Sequence, residues 1–351
     1  MKILYAIQGT GNGHLSRAKD VIPALMKRAH IDILISGIQA DIELPFYVKY
    51  RYRGISFIFG KKGGVDILST YRFCKTREVW NEIRKCPVQN YDLVINDFEP
   101  ISAWACKLRD VKCIGLSHQG SLRSKKVPIP SHNDPIGWFV LKDYAPCNSY
   151  YSFHFKKYDD NIFTPIIRQE IRNQEITDEK HYTVYLPSYG DGKLLRVLSQ
   201  IKKVRWEVFS KYADKTYNVE NVIISPINSE SFSRSMASSA GVLCGAGFET
   251  PAEALYLGKK LLVIPMKSQF EQHFNAEGLK EMGVPVIKKL SKKNIKNILK
   301  WVDADHHIPV YFPNETQFIV DKVLEEQLLP LIERIPAEKP LFPFLNLKTN
   351  N

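Results

Sequence analysis

Short apolar runs alternate with amphipathic segments along the first half of the chain. Residues 15–28 place Leu15, Ala18 and Ile22 on one face of a helix, whereas the aromatic and β-branched run at residues 2–8 is typical of a strand. The predicted strands are residues 2–8, 31–36, 55–59, 93–96, 112–116 and 150–155, and the predicted helices are residues 15–28, part of 71–86, and 101–108. Strands that alternate with helices favour a parallel sheet covered on both faces.

The second half repeats this alternation. Its predicted strands are residues 182–186, 206–210, 222–225, 240–244, 261–264 and 286–287, and its predicted helices are one ending near residue 201, then 248–256, 292–302 and 315–328. The pattern predicts an α/β chain of two Rossmann-like domains. We place them at residues 1–165 and 166–335, with a tail at 336–351 that is poorly ordered or packed back on the first domain.

Length and composition agree with two soluble domains. The chain has 351 residues, of which 44% are hydrophobic and 25% are charged. No apolar run approaches the length needed to span a bilayer, so we expect a cytoplasmic protein. The six cysteines show no C-x-x-C spacing and are interpreted as reduced thiols, and no cofactor or metal is expected.

The net charge of +12 falls mostly in the first half. A basic half is compatible with an anionic membrane surface, an acidic acceptor or nucleic acid, and equally with a solvated surface of no special function. No arginine-rich run, zinc finger or aromatic RNA-binding motif is present, so we expect no nucleic acid partner. Peripheral contact with the inner face of a membrane stays open.

A glycine loop follows the first strand and ends in a histidine. Gly9, Gly11 and Gly13 are spaced two apart before His14, which differs from the dinucleotide-binding fingerprint. Ligands of open α/β sheets bind beyond the carboxyl ends of the strands, where an imidazole can act as a general base. His14 is therefore the candidate base, and the alternative is a histidine that only caps the helix.

Asp97 ends the strand that contains residues 93–96. A carboxylate there could hydrogen-bond His14 and fix its tautomer, or it could cap the next helix. Glu99, two residues further on, is a rival orienting residue.

The stretch at residues 240–276 has the composition of a ligand-binding βαβ unit. Gly245 and Gly247 form the turn after a buried strand, and Gly247 would let the backbone approach a ligand. The N-terminus of the following helix offers free N–H groups to an anion such as a diphosphate. Glu253 lies within reach of a ribose held there, and the amides of Gln272 and Asn275 would reach beyond the phosphates. The alternative is a plain strand, glycine turn and helix.

Taken with these motifs, the chain resembles the GT-B glycosyltransferases over nearly its whole length, and the resemblance implies that the two Rossmann-like domains face each other across a cleft. The similarity is greatest to the UDP-glycosyltransferases and to the lipid-linked N-acetylglucosaminyltransferase of peptidoglycan synthesis. The His14 loop, a Thr-Pro segment with Arg168, and Ser188 after the first strand of the second half match in order. The residues that the resemblance assigns to the nucleotide-sugar site are Gly11, Gly13, Arg168, Ser188, Gly245, Gly247, Phe248, Glu249, Thr250, Glu253, Gln272 and Asn275.

The resemblance implies specific roles within that set. Ser188, Thr250 and the helix beginning near Gly247 would hold the diphosphate, Glu253 the ribose, and Gln272 with Asn275 the sugar. The catalytic pair would be His14 and Asp97.

The implied reaction is metal-independent, inverting transfer from a nucleotide sugar, a UDP-sugar in particular. The acceptor would be lipid-linked, a polysaccharide or a small molecule. Three alternatives remain, namely a UDP-sugar 2-epimerase, a non-catalytic nucleotide- or polyanion-binding protein, and a nucleotide-sugar hydrolase. The last is suggested by the run His14-Leu15-Ser16-Arg17, which resembles the G-H-x-x-R loop of hydrolases in pseudaminic acid synthesis.

Overall fold

A seven-stranded parallel sheet forms the first half of the molecule. The computed structural model describes residues 1–10, 12–37, 44–54, 76–130, 143–267 and 269–332. Within them the strands of this sheet are β1 (Lys2–Gln8), β2 (His30–Ser36), β3 (Val48–Tyr52), β4 (Leu93–Asp97), β5 (Cys113–Leu116), β6 (Ser149–Phe153) and β7 (Ile162–Phe163). They lie in the order β3-β2-β1-β4-β5-β6-β7. The order reverses between β1 and β4, and such a switch point is where open sheets of this kind bind ligands.

A second sheet of six strands forms the other half. Its strands are β8 (His181–Tyr185), β9 (Arg205–Ser210), β10 (Tyr217–Val219), β11 (Val222–Pro226), β12 (Gly241–Gly245) and β13 (Lys260–Ile264). They lie in the order β10-β11-β9-β8-β12-β13, and all neighbours are parallel except β10 and β11. Here the switch point lies between β8 and β12.

Helices connect the strands and cover the sheets. They are α1 (Asn12–Met26), α2 (Thr76–Lys85), α3 (Pro100–Arg109), α4 (Gln169–Arg172), α5 (Asp191–Leu198), α6 (Ser229–Ser238), α7 (Glu249–Tyr256), α8 (Phe270–Glu281), α9 (Ile295–Asp303) and α10 (Thr316–Ile332). Along β1, Ile3 and Tyr5 belong to one apolar cluster and Leu4 to another. Side chains of both strand faces are therefore buried, as a parallel sheet between two helix layers requires.

The hydrophobic pattern predicted the central strands correctly, and β1 has the predicted bounds. The prediction was wrong at α1, which begins at Asn12, so His14 lies in its first turn and not at the end of a loop. The elements β3, β7, β10, α4 and α6 were not predicted, and Gln272 and Asn275 lie on the unpredicted helix α8. The predicted strand at 55–59, Gly11 and the tail at 336–351 lie outside the described residues.

The last helix returns to the first sheet. In α10, Asp321 pairs with Arg28, just beyond the end of α1, at 3.1 Å, and Gln317 Nε2 donates to the Ala24 carbonyl at 3.4 Å. Glu326 accepts a hydrogen bond from Tyr151 of β6. The chain thus crosses between its halves twice, once after β7 and once before α10. The domain bounds given above stay a prediction.

A search of the described helices found none with both the length and the apolar character of a bilayer span.

Candidate functional site

Polar side chains from the carboxyl ends of strands in both sheets meet in one cluster. On the first sheet, His14 and Arg17 follow β1 and Asp97 ends β4. On the second sheet, Glu249 begins α7 after β12, and Glu271 lies in the first turn of α8 after β13. Carboxyl ends are where parallel sheets present ligand-binding groups, so this cluster is the candidate site.

His14 has polar neighbours at both ring nitrogens: Asp97 and, at 3.2 Å, Arg17 Nη2 lie near Nδ1, and Gln119 lies near Nε2. Its Nδ1 lies 2.8 Å from Asp97 Oδ1, and its Nε2 lies 3.2 Å from Nε2 of Gln119, which follows β5. Because a carboxylate only accepts and an amide nitrogen only donates, this network assigns the proton to Nδ1 and leaves a lone pair on Nε2. The predicted pair of His14 and Asp97 is thus brought together, in the tautomer that a general base requires.

Arg17 links this pair to the second sheet. It is 1% exposed, and its Nη2 donates to both oxygens of Asp97, at 2.7 and 2.8 Å. Its Nη1 donates to Glu249 Oε1. Complete burial opposes ionisation of Asp97, but Arg17 and His14 outweigh it and hold the pKa of the carboxyl below its usual value. Asp97 is therefore an anion at neutral pH.

Glu99 is not an orienting residue for His14. Its two oxygens accept from the backbone N–H groups of Ile101 and Ser102, both at 2.7 Å, and so cap α3. The intervening Phe98 has a φ of 56°, in the left-handed region. The cap interpretation considered for Asp97 thus applies to Glu99, and the turn at Phe98 separates the two carboxylates.

A second set of contacts surrounds Gln119. Glu271 Oε2 accepts from Gln119 Nε2 at 3.0 Å, and its Oε1 lies 2.9 Å from His118 Nε2. The His118 ring stacks on Phe248 at a centroid distance of 4.6 Å. Burial raises the pKa of Glu271, but His118, His14 and Gln119 together lower it well below its usual value. Phe248, predicted for the nucleotide-sugar site, therefore packs against a residue of the first half.

The turn before α7 leaves room for a ligand. A Cβ added to Gly247 would meet no atom within 4 Å, and the capping residue Phe248 makes no side-chain hydrogen bond to the first turn of α7. Free N–H groups at a helix N-terminus attract anions. Thr250 in this turn is half-buried, as is Ser188 in the loop after β8.

Glu253 is engaged by Arg168. Arg168 Nη2 donates to Glu253 Oε2 at 2.8 Å and its Nε donates to Oε1, while Nη1 pairs with Glu170. Glu253 is 2% exposed. The structure thus brings two predicted residues together as a buried ion pair, and a ribose would have to share or replace Arg168.

The two predicted amides support the glycine turn from α8. Asn275 is fully buried, and its Nδ2 donates to the Ala246 carbonyl at 3.2 Å. Gln272 Oε1 accepts from the Met266 N–H at 3.0 Å and lies 3.5 Å from a Cβ added to Gly245. A Cβ added to Gly13 would come within 3.2 Å of the Glu249 side chain. The amides of Gln272 and Asn275 thus lie against the turn at Gly245 and Gly247, and Gly13 in α1 lies close to Glu249.

Glu249 on the second sheet's side has a raised pKa, in contrast to Glu271. Burial raises its pKa to about 7, and the neighbouring carboxylates of Glu253 and Asp97 add to this, while Arg17 opposes it. The cluster therefore contains a group that changes charge near neutral pH. Among the described residues, no group of three or more His, Cys, Asp or Glu side chains is arranged to hold a metal ion.

Four residues of this cluster were absent from the predicted site, namely Arg17, His118, Gln119 and Glu271. Arg17 lies three positions after His14, a spacing that puts both on one face of a helix. Glu271 directly precedes the predicted Gln272, and His118 and Gln119 follow the β5 strand end. The helix spacing could have identified Arg17 once α1 was placed, and the strand ends could have identified the other three.

Comparison with solved structures places this architecture among known folds. MurG from Acinetobacter baumannii is similar over 93% of this chain and 100% of its own, with 14% identity and a TM-score of 0.55. UGT2 from Phytolacca americana, complexed with UDP-2-fluoro-glucose and pterostilbene, is similar over 96% of this chain and 95% of its own, with 13% identity and a TM-score of 0.56. Arabidopsis thaliana UGT89C1 complexed with UDP is similar over 93% of this chain and 94% of its own, with 13% identity and a TM-score of 0.56. A comparison with curated proteins found no match.

The two facing α/β sheets with a polar cluster at their carboxyl ends define the GT-B fold, as the sequence predicted. The family model described as glycosyl transferase family 1 matches residues 1–303. The chain belongs to this family and is a glycosyltransferase.

Proposed function

We propose that this enzyme transfers a sugar from a UDP-sugar to an acceptor hydroxyl, with inversion and without a metal or other cofactor. The observation that carries the proposal is the 2.8 Å contact between His14 Nδ1 and Asp97, which leaves a basic nitrogen on His14 within a cluster that also contains the start of α7. General base catalysis needs this combination of tautomer and position.

In the proposed reaction, His14 Nε2 takes the proton of the acceptor hydroxyl as the acceptor oxygen bonds to the anomeric carbon. Asp97 stabilises the imidazolium that results. The bond from the anomeric carbon to the diphosphate breaks, and the negative charge on the leaving UDP is met by the N–H groups and positive dipole end of α7. Attack from the face opposite the leaving group inverts the anomeric centre.

The donor assignment is supported by the open space at Gly247 and by the solved structures of similar fold that contain UDP or a UDP-sugar analogue. Ser188 and Thr250 would contact the diphosphate, and Gln272 with Asn275 would shape the sugar pocket. We assign the ribose to Glu253 with Arg168 as its neighbour, because the carboxylate is already oriented by the guanidinium.

The acceptor is proposed by class only. It would be lipid-linked, a polysaccharide or a small molecule, bound on the first half. If the acceptor is lipid-linked, the net charge of +12 supports binding of a cytoplasmic enzyme to the anionic inner face of a membrane. Failure to bind anionic liposomes at low salt would contradict this part.

Hydrolysis of the nucleotide sugar is the second candidate. The observation that favours it is the position of Arg17, the arginine of the hydrolase-like G-H-x-x-R run, within the His14 and Asp97 pair. In that reaction water replaces the acceptor hydroxyl.

The test is release of UDP from a panel of UDP-sugars by purified protein, with and without lipid and polysaccharide acceptor fractions. Acceptor-dependent release that His14→Ala abolishes supports transfer. Equal release without acceptor supports hydrolysis. No release and no UDP binding would contradict both.

A further inference from the structure

The amide of Gln119 occupies the nitrogen of His14 that the proposed reaction uses. Gln119 Nε2 lies 3.2 Å from His14 Nε2 and 3.0 Å from Glu271 Oε2. An amide nitrogen carries two hydrogens, so it can donate one to each partner. Gln119 is 2% exposed, so water does not reach this contact freely. The basic lone pair of His14 therefore already has a donor in the ligand-free enzyme.

The surroundings fix the direction of this amide. Turning it over would put its oxygen against Glu271, where two acceptors would face each other. The other oxygen of the Glu271 carboxylate lies 2.9 Å from His118 Nε2. The amide hydrogens of Gln119 consequently point to His14 from an anchor on the second sheet's side of the cluster.

We propose that Gln119 is a specificity-determining residue: its amide keeps water off His14 Nε2 until an acceptor hydroxyl displaces it, so that the sugar is transferred and not hydrolysed. This inference rests on the proposed function. It gives the enzyme a means to suppress the competing hydrolysis that the His14 to Arg17 run suggests.

Transfer and hydrolysis have the same balance of bonds. In each, the attacking oxygen bonds to the anomeric carbon, its proton passes to His14 Nε2, and the bond to the diphosphate breaks with its electron pair leaving on UDP. The difference lies in what displaces the amide. An acceptor bound by other contacts can use that binding free energy to displace Gln119, whereas a water molecule makes no such contacts.

The first experiment compares Gln119→Ala with wild type and with Gln169→Ala, a matched control whose side chain is exposed and contacts Asn173. The probes are UDP-glucose, UDP-galactose and UDP-N-acetylglucosamine, each with and without the acceptor fraction. In Gln119→Ala we expect acceptor-independent UDP release to rise roughly 5- to 30-fold, the effect of losing one hydrogen bond. Acceptor-dependent release should change less, and Gln169→Ala should match wild type.

Unchanged hydrolysis in Gln119→Ala, or equal loss of hydrolysis and transfer in a folded variant, overturns the proposal. If Gln119→Ala fails to fold, Gln119→Met keeps the side-chain length but removes the donor, and it should raise hydrolysis in the same direction.

A second readout separates this inference from the proposed function. The ¹⁵N resonances of the His14 ring, identified by their loss in His14→Gln, should change at Nε2 in Gln119→Ala and not in Gln169→Ala. If no UDP-sugar is turned over but this signal moves, the proposed function fails while the contact stands. If turnover occurs and the signal does not move, Gln119 does not act on the base.

Discussion

The two sides of the candidate site are built differently. On the first sheet, the site consists of buried side chains: His14, Asp97 and Arg17 are joined by hydrogen bonds of 2.7 to 2.8 Å, and Arg17 is 1% exposed. On the second sheet, the turn at Gly247 offers backbone N–H groups and a space where a Cβ would meet no atom within 4 Å. The base side is assembled before any ligand arrives, whereas the donor side is open.

This difference separates two kinds of sensitivity. Removing one member of a buried charged network lowers both the free energy of unfolding and the activity of the protein, because the remaining charges are left uncompensated. An open backbone turn can accept a side chain without a folding cost and still lose its ligand. Arg17 joins the two sides, since it pairs with Asp97 on one and Glu249 on the other.

The largest effect is expected from Asp97→Asn. The amide can donate to His14 Nδ1, which would move the ring proton to Nε2 and remove the basic lone pair. We expect kcat to fall about 10²- to 10⁴-fold, with UDP affinity changed less than about threefold. Rates from UDP release and affinities from calorimetry check this, with the exposed Asp92→Asn as control. A kcat within tenfold of wild type would show that the base side does not depend on this tautomer.

The next largest effect is expected from Arg17→Met. Asp97 and Glu249 lose their shared cation, so the free energy of unfolding should fall by about 3–5 kcal/mol. The loss should be larger at pH 8 than at pH 5, because Glu249, with its pKa of about 7, takes up a proton at the lower pH. Urea unfolding of wild type and variant at both pH values measures this loss of free energy of unfolding. Arg172→Met is the control, since Arg172 donates to backbone carbonyls; equal losses in both variants would contradict a special role for Arg17.

Glu249→Gln tests the raised pKa directly. The folded protein binds this proton more tightly than the unfolded chain, so the stability that the group contributes is complete below about pH 4.5 and lost as pH rises through about 7. The free energy of unfolding of the variant minus that of wild type should therefore rise by on the order of 2 to 3 kcal/mol between pH 5 and pH 8. Parallel stability curves for the two proteins over this range would contradict the assignment.

The smallest effect is expected from Gly247→Ala. The open space predicts a change of no more than about 0.5 kcal/mol in the free energy of unfolding. If the backbone approaches the diphosphate here, UDP affinity should still fall by about tenfold, or about 1.4 kcal/mol. Gly192→Ala, exposed in the first turn of α5, is the control. Unchanged UDP affinity would remove Gly247 from the donor side.

The sequence was most informative where one physical cause dominates. Buried parallel strands such as β1 and β4 must be apolar on both faces, and ligand groups gather at their carboxyl ends, so position indicated His14 and Asp97 as candidates while leaving the helix-cap alternative open for each. Half-exposed β3 (Val48–Tyr52) alternates polar and apolar residues at the edge of the sheet and gave a weaker signal.

Pairings between residues far apart in the sequence could not be obtained in this way. Arg17 contacts Glu249 across the two sheets over a separation of 232 residues, and Glu253 contacts Arg168 within residues 166–335 over a separation of 85. No local pattern encodes which carboxylate a buried guanidinium will meet, because that depends on the tertiary packing of elements distant in the chain. Arg168 and Glu253 were both assigned to the nucleotide-sugar site, but their pairing was not foreseen.

The return of α10 to the first sheet limits how the two halves can move. A body joined to another at one point can turn about any axis, but one joined at two points turns only about the line through them. The crossings after β7 and before α10 are two such points, and α10 contacts α1 through Gln317 and the Ala24 carbonyl. A rotation about the line through them that widened the cleft would separate the contacts that join the two halves, among them Arg17 with Glu249 and Gln119 with Glu271.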